Sequence, residues 1–134
     1  MTIDELEGKP LAEAVARAQG WRKEEPYPCK TQEWLGENGR LNGWYVDNYR
    51  PDRDIAQAWE LDGEWLAWSF REIGLGECQR VIARATSIVA NEDSTHDMFE
   101  AQARFDDFPT KSAAYATARC RAFLKAKEST ADPS

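Results

Sequence analysis

Apolar positions recur along the chain with two different periods, and the changes of period divide it into elements. Leu11, Ala14, Val15 and Ala18 recur at helical spacing. Thr2 and Glu5 fit a capping box for a short helical turn over 3–7, closed by Gly8. Pro10 then suits the first turn of the next helix. Gly20 can take the left-handed conformation that ends it, with Trp21 packing back on the last turn. A second helix is predicted from Pro51, with Ile55, Ala58 and Trp59 as its stripe and Gly63 as its stop. The period then shortens to two. Over 64–72, Leu66, Trp68 and Phe70 alternate with Ala67, Ser69 and Arg71, a half-buried strand. Gly74-Leu75-Gly76 reads as a hairpin-type turn. Residues 78–90 fit helical spacing through Val81, Ile82, Ala85, Ile88 and Val89. The β-branched run from Thr86 and the preceding turn nevertheless favour a strand. Residues 91–95 form a polar turn. Over 97–105, Phe99, Ala101, Ala103 and Phe105 face one way, and Met98, Glu100, Gln102 and Arg104 the other. The period lengthens again over 110–127, where Ala113, Ala116, Thr117, Cys120, Phe123 and Leu124 form a helical stripe.

The stretch 22–48 has neither period. It holds Pro26, Pro28, Gly36, Gly39 and Gly43, with Asn38-Gly39 as a turn signal. Trp34, Trp44, Tyr45 and Tyr49 are threaded through and just beyond it, so it reads as an ordered loop with a short strand at 44–47. The order of elements predicts an α+β fold. An antiparallel sheet of three or four strands is layered between helices, an α-β-α sandwich. One such domain spans 1–128, and the small polar residues 129–134 form a disordered tail.

Three segments carry a family resemblance. The first is Leu6-Glu7-Gly8-Lys9-Pro10-Leu11-Ala12-Glu13-Ala14-Val15-Ala16-Arg17-Ala18-Gln19-Gly20. The second is Tyr49-Arg50-Pro51-Asp52-Arg53-Asp54-Ile55-Ala56-Gln57-Ala58-Trp59. The third is Ala118-Arg119-Cys120-Arg121-Ala122-Phe123-Leu124-Lys125-Ala126. In this order they resemble the phage ABA sandwich domain family of phage and prophage genomes. The resemblance implies an α-β-α layered sandwich and a phage setting. It transfers no catalytic residue.

Charge narrows the partners. The formal net charge is −7, and acidic and basic residues are interspersed. No direct nucleic-acid binding is expected, because a counterion-releasing binder needs Lys and Arg clustered on one face. Lys111, Arg119, Arg121, Lys125 and Lys127 read as a solvated helix face. No apolar run approaches the ~18 residues of a membrane span, and the first residues lack a secretory layout. No membrane partner is therefore expected, and a cytoplasmic location in a bacterial host is. The three cysteines are odd in number, which predicts reduced thiols with Cys120 in the core. Cys29 and Cys78 carry no assignment.

Candidate chemistry is sparse. The single histidine, His96, lies in a polar turn, and no nucleophile elbow accompanies it. Gly74-x-Gly76 lacks the rest of a nucleotide loop. Asp52-x-Asp54 could hold a hard cation, or simply favour a helix N-terminus. No catalytic residue, metal site or cofactor is assigned. The aromatic excess either fills a small core or presents rings to a partner. The candidate binding residues are Trp44, Tyr45, Tyr49, Arg50 and Arg53, placed before a helix start whose N–H groups favour an anion. The expected function is a non-enzymatic phage or prophage accessory protein that binds a protein partner or small ligand. The alternative is a small metal-assisted hydrolase or nucleotide-processing enzyme using Asp52 and Asp54.

Overall fold

A computed structural model describes residues 3–25, 28, 32–36, 38–61, 66–88 and 90–130. The sequence expectations at Thr2, Pro26, Cys29, Gly63, Glu64 and Val89, and at the tail from 131 on, lie outside the described residues. After a 3-10 turn at Ile3–Glu5 come helix α1 (Gly8–Ala18) and strands β1 (Arg22–Lys23), β2 (Glu33–Leu35) and β3 (Leu41–Tyr45). Helix α2 (Ile55–Trp59), strands β4 (Leu66–Ile73), β5 (Arg80–Ser87) and β6 (Met98–Arg104), and helix α3 (Lys111–Thr130) follow. The strands form two antiparallel three-stranded sheets, β1-β2-β3 and β4-β5-β6. This is an α+β fold with helices packed against sheet.

Local chemistry explains the element ends. The Gly20 N–H donates to Arg17 O at 2.9 Å and the Trp21 N–H to Ala16 O at 3.1 Å. That pair of bonds is a Schellman ending, made possible by the left-handed Gly20 (φ 86°). Residues 78–90 resolve in favour of the strand. A turn with left-handed Gly74 and Gly76 folds β5 back onto β4. At Gly74 any Cβ would overlap the Cys78 carbonyl. The stretch 22–48 is more regular than its composition suggests. Gly36 and left-handed Gly39 close a β2–β3 hairpin, with Gly36 N–H donating to Arg40 O at 2.8 Å.

On the inner face of the larger sheet, large side chains of β4 stand beside small ones of β5. Trp68 pairs with Ala85 and then Phe99, Phe70 with Ala83 and then Ala101, and Glu72 with Val81 and then Ala103. Ala114, Ala118 and Ala122, one helical turn apart, pack on Val81, Ala83, Ala101 and Ala103. Small residues on both surfaces let the helix approach the sheet closely. The opposite side of α3 brings Cys120, Phe123 and Leu124 into a core with Leu11, Val15, Ala16, Trp34, Tyr49 and Leu61. The middle layer is therefore α3. One face of β4-β5-β6 lies against it, and the other faces solvent.

This placement corrects the reading of α3's cations. Arg119 and Arg121 are buried, at 4% and 8% exposure, rather than solvated. Arg119 Nε donates to Ala58 O at 2.7 Å, and Nη2 to Trp59 O at 3.3 Å and Leu61 O at 3.2 Å. It thereby adds donors to the carbonyls at the C-terminal end of α2 and in the turn just beyond it. Its guanidinium also lies 4.1 Å from the Trp68 ring centroid and 4.7 Å from that of Trp59. Burial lowers its pKa to about 10, so it stays charged at neutral pH. Arg121 ties Leu6 O to Gln102 O, at 2.9 and 2.8 Å.

Arg119→Ala should destabilise the fold by ~2–4 kcal/mol, since each buried group left without a partner costs ~1–3 kcal/mol. A denaturant melt showing a loss under ~0.5 kcal/mol would mean that water replaces the guanidinium.

Candidate functional site

The five candidate residues fall on β3 and the turn that follows it, and the fold divides them into two groups. Strand alternation turns Trp44 inward, and Leu41, Gly43 and Tyr45 outward. Tyr49 is 4% exposed and belongs to the core. Its ring centroid is 4.7 Å from that of Trp21 and 5.5 Å from that of Trp44. Its hydroxyl accepts from Gln19 Nε2 at 2.8 Å. Burial raises the Tyr49 pKa well above the ordinary tyrosine value, more than the Gln19 hydrogen bond lowers it.

Arg50 is anchored. Its Nε and Nη2 donate to the two carboxylate oxygens of Asp52, each at 2.8 Å, a bidentate pair. The Arg50 side chain is 14% exposed and that of Asp52 5%. The Asp52 bond raises the Arg50 pKa. The backbone of Asp52 is held as well, its carbonyl accepting from Thr117 Oγ1 of α3 at 2.9 Å. Gln57 ties the segment together. Its Oε1 accepts from Arg50 N at 2.7 Å, and its Nε2 donates to Asp54 Oδ2 at 3.1 Å.

Asp54 is the N-cap of α2. Its side chain accepts from Ala56 N at 3.0 Å and Gln57 N at 3.4 Å. Two expectations are corrected here. The helix starts at Ile55, not Pro51, because Asp54 captures the first free N–H groups. The same capture means that Asp54, not an outside anion, fills the helix N-terminus. Ile55 and Trp59 are also exposed, while Gln57 and Ala58 are the buried residues of α2. Asp52 and Asp54 both direct oxygen atoms at protein donors. Among the described residues no group of three or more His, Cys, Asp or Glu is placed to hold a metal ion.

Trp44, Tyr49 and Arg50 thus brace the segment from inside. Tyr45, at 42% exposure, and Arg53 face solvent. Leu41, at 52% exposure, shares the outer side of β3 with Tyr45 and was not singled out by the sequence. The missed signal was the i, i+4 placement of Leu41 and Tyr45 in a strand whose residue between them, Trp44, faces in. Elsewhere, Cys120 is fully buried and burial raises its pKa well above the usual thiol value, so it is an inert core thiol. His96 is exposed and its Nδ1 lies 2.7 Å from Ser87 O.

Fold and surface together define an α+β protein with a braced aromatic strand at its edge. No family model matches the chain, and no curated protein or solved structure matches it either. Among the described residues no helix is long and apolar enough to cross a membrane.

Tyr49 sets an alkaline limit. Its folded pKa lies above the unfolded value of ~10, so the folded state keeps a proton that the unfolded state loses. Its contribution is complete below pH ~10 and is lost as pH rises, at up to ~1.4 kcal/mol per unit. Tyr49→Phe should flatten the fall in stability between pH 9 and 11 relative to the parent, measured by denaturant melts. Equal slopes would place the hydroxyl in water. The carboxylates give a second expectation. Added Mg²⁺ or Mn²⁺ should leave the melting temperature unchanged, whereas binding at a hundredfold excess over Kd would add ~2.7 kcal/mol.

Proposed function

We propose that this chain is a non-enzymatic accessory protein, encoded by a phage or prophage, that binds a partner through the outer side of β3 and the turn after it. The phage setting rests on the resemblance of three segments to phage ABA sandwich proteins. One observation carries the binding reading. Tyr45 and Leu41 are exposed on a strand whose other side is locked into the core by Trp44 and, through it, Tyr49. A large ring held on a rigid element gives contact area at little ordering cost. Arg53 adds an exposed charge at the end of the same segment. Tyr and Arg are the residue types enriched at interface hot spots.

The bidentate Arg50–Asp52 pair and the Asp54 cap favour this reading over metal-assisted hydrolysis, since both carboxylates already serve the turn. Immobilised parent protein, presented with extract of phage-infected bacteria, should retain a partner. Tyr45→Ala and Arg53→Ala should each weaken that partner by ~1–3 kcal/mol, with the melting temperature nearly unchanged. Arg50→Ala should lower stability instead. Undiminished binding by the Tyr45 and Arg53 variants would end the assignment of this surface.

A further inference from the structure

The two edges of the larger sheet differ in how their backbone groups are met. Phe105 N–H donates to Gln79 O at 3.1 Å, and Ser87 N–H to Asp97 O at 2.8 Å. In this antiparallel register the odd-numbered residues of β5 therefore bond to β6, and its even-numbered residues bond to β4. On β6 the even-numbered residues are left facing outward, and side chains of α3 cover them. Lys125 Nζ donates to Glu100 O at 2.9 Å, and Arg121 Nη1 to Gln102 O at 2.8 Å. On β4 the outward N–H and C=O groups belong to Leu66, Trp68, Phe70 and Glu72. No described residue donates to these groups or accepts from them.

The open edge is long and regular. It runs for eight residues and pairs with β5 without a register shift. It has no bulge, proline or covering side chain of the kind that blunts an edge. Exposed apolar side chains flank it. Trp59 of α2 stacks on Phe70 with centroids 4.9 Å apart. Ile55 lies one helical turn before Trp59, and both are exposed. The small-residue contact of α3 is with β5 and β6, which leaves the β4 side of the sheet to α2.

We infer that β4 pairs antiparallel with β4 of a second copy, about a two-fold axis that passes through Ser69 perpendicular to the sheet. The strand itself selects this occupant and register. Outward groups can meet only outward groups, and only an axis at Ser69 gives Leu66, Trp68, Phe70 and Glu72 a partner each. Trp68 then stands opposite Phe70 of the second copy on both sides of the axis, and aromatic pairs so placed stabilise a sheet. Arg71 meets Ala67, and Ser69 meets its own image, so no like charges are opposed. An axis at Arg71 would oppose two guanidinium groups. A bare peptide strand could take the same backbone bonds, but it brings nothing to cover Ile55 and Trp59. A second copy brings its own α2 to the same side of the joined sheet. The assembly closes at two copies, because the β6 edges remain covered. This interface is separate from the outer side of β3, so each can fail without the other.

The test joins sedimentation of the full chain, over about a thousandfold range of concentration reaching the millimolar, with amide hydrogen exchange. A reversible dimer should appear as concentration rises. Exchange at Trp68 and Phe70 should slow in step with it, whereas Ser69 and Arg71, already bonded to β5, should not change. Ser69→Glu sets two carboxylates against each other at the axis, while Arg84 stands opposite it within the monomer. It should weaken the dimer by about tenfold or more, as opposed like charges do, with the monomer's melting temperature undiminished. Ser69→Cys is the converse. Pairs that exchange no backbone bonds stand close enough for a disulfide, so mild oxidation should join two copies. Arg71→Cys, which would face Ala67, should cross-link no faster than the parent. A chain that stays monomeric throughout, a dimer indifferent to Ser69→Glu, or equal cross-linking of the two cysteine variants would each overturn the proposal.

Discussion

Everything in this fold is arranged around the burial of α3 on all sides. A helix with one apolar stripe needs one neighbour, but α3 has contacts all round, so its polar residues must find partners inside the protein. Arg119 and Arg121 meet that condition by donating to backbone carbonyls of other elements. Each guanidinium presents several donors in a fixed plane, so one side chain can close a helix end or join two chain segments. Arg119 holds the end of α2, and Arg121 holds the segment before α1 against the β6 edge. Burial taxes these charges, as the lowered Arg119 and Arg121 pKa values show. The hydrogen bonds and the rings of Trp59 and Trp68 offset that cost.

The second consequence concerns size. Alanines at 114, 118 and 122 meet alanines at 83, 101 and 103, which brings the helix axis near the sheet. The bulk that a small domain needs is supplied elsewhere, by Trp34, Phe123 and Leu11 on the other side of α3. The rung pattern follows the same division. Trp68 and Phe70 stand on β4, beside α2, where Phe70 stacks on Trp59 with centroids 4.9 Å apart. Large side chains thus ring a small-residue contact.

Much of this was legible in the chain, and particular residues show why the rest was not. The alternation of Phe99, Ala101 and Ala103 marked β6 with its buried face correctly, because one face is packed and the other wet. The spacing of Cys120 and Phe123 marked one buried side of α3, whereas the side at Ala114, Ala118 and Ala122 that meets the sheet is marked only by small residues. Arg119 and Arg121 were misread because charge alone signals solvent, and only the tertiary arrangement shows which carbonyls lack donors. The candidate site was half legible. Tyr45 and Arg53 are exposed as a binding reading requires, but Tyr49 and Arg50 differ from them only in their surroundings. Pro51 suggested a helix start by its fixed φ, yet the side chain of Asp54 decided where free N–H groups were first satisfied. The strands β1 and β2 are too short to show a period at all.

With α3 enclosed, the surfaces that strands leave to solvent lie on the outsides of the two sheets, and these differ in kind. The outer side of β3 is small and apolar, with Tyr45 and Leu41 anchored from behind. The outer face of β4-β5-β6 is more polar, with Arg71, Arg84 and Glu100 among its side chains. The first pattern is not what stability alone would select. Exposed Leu and Tyr contribute little to a core. Both sit on backbone fixed by the α3 core, so neither must be ordered on contact. A domain whose interior is so fully committed to holding one helix has its chemical variety on those two outer faces.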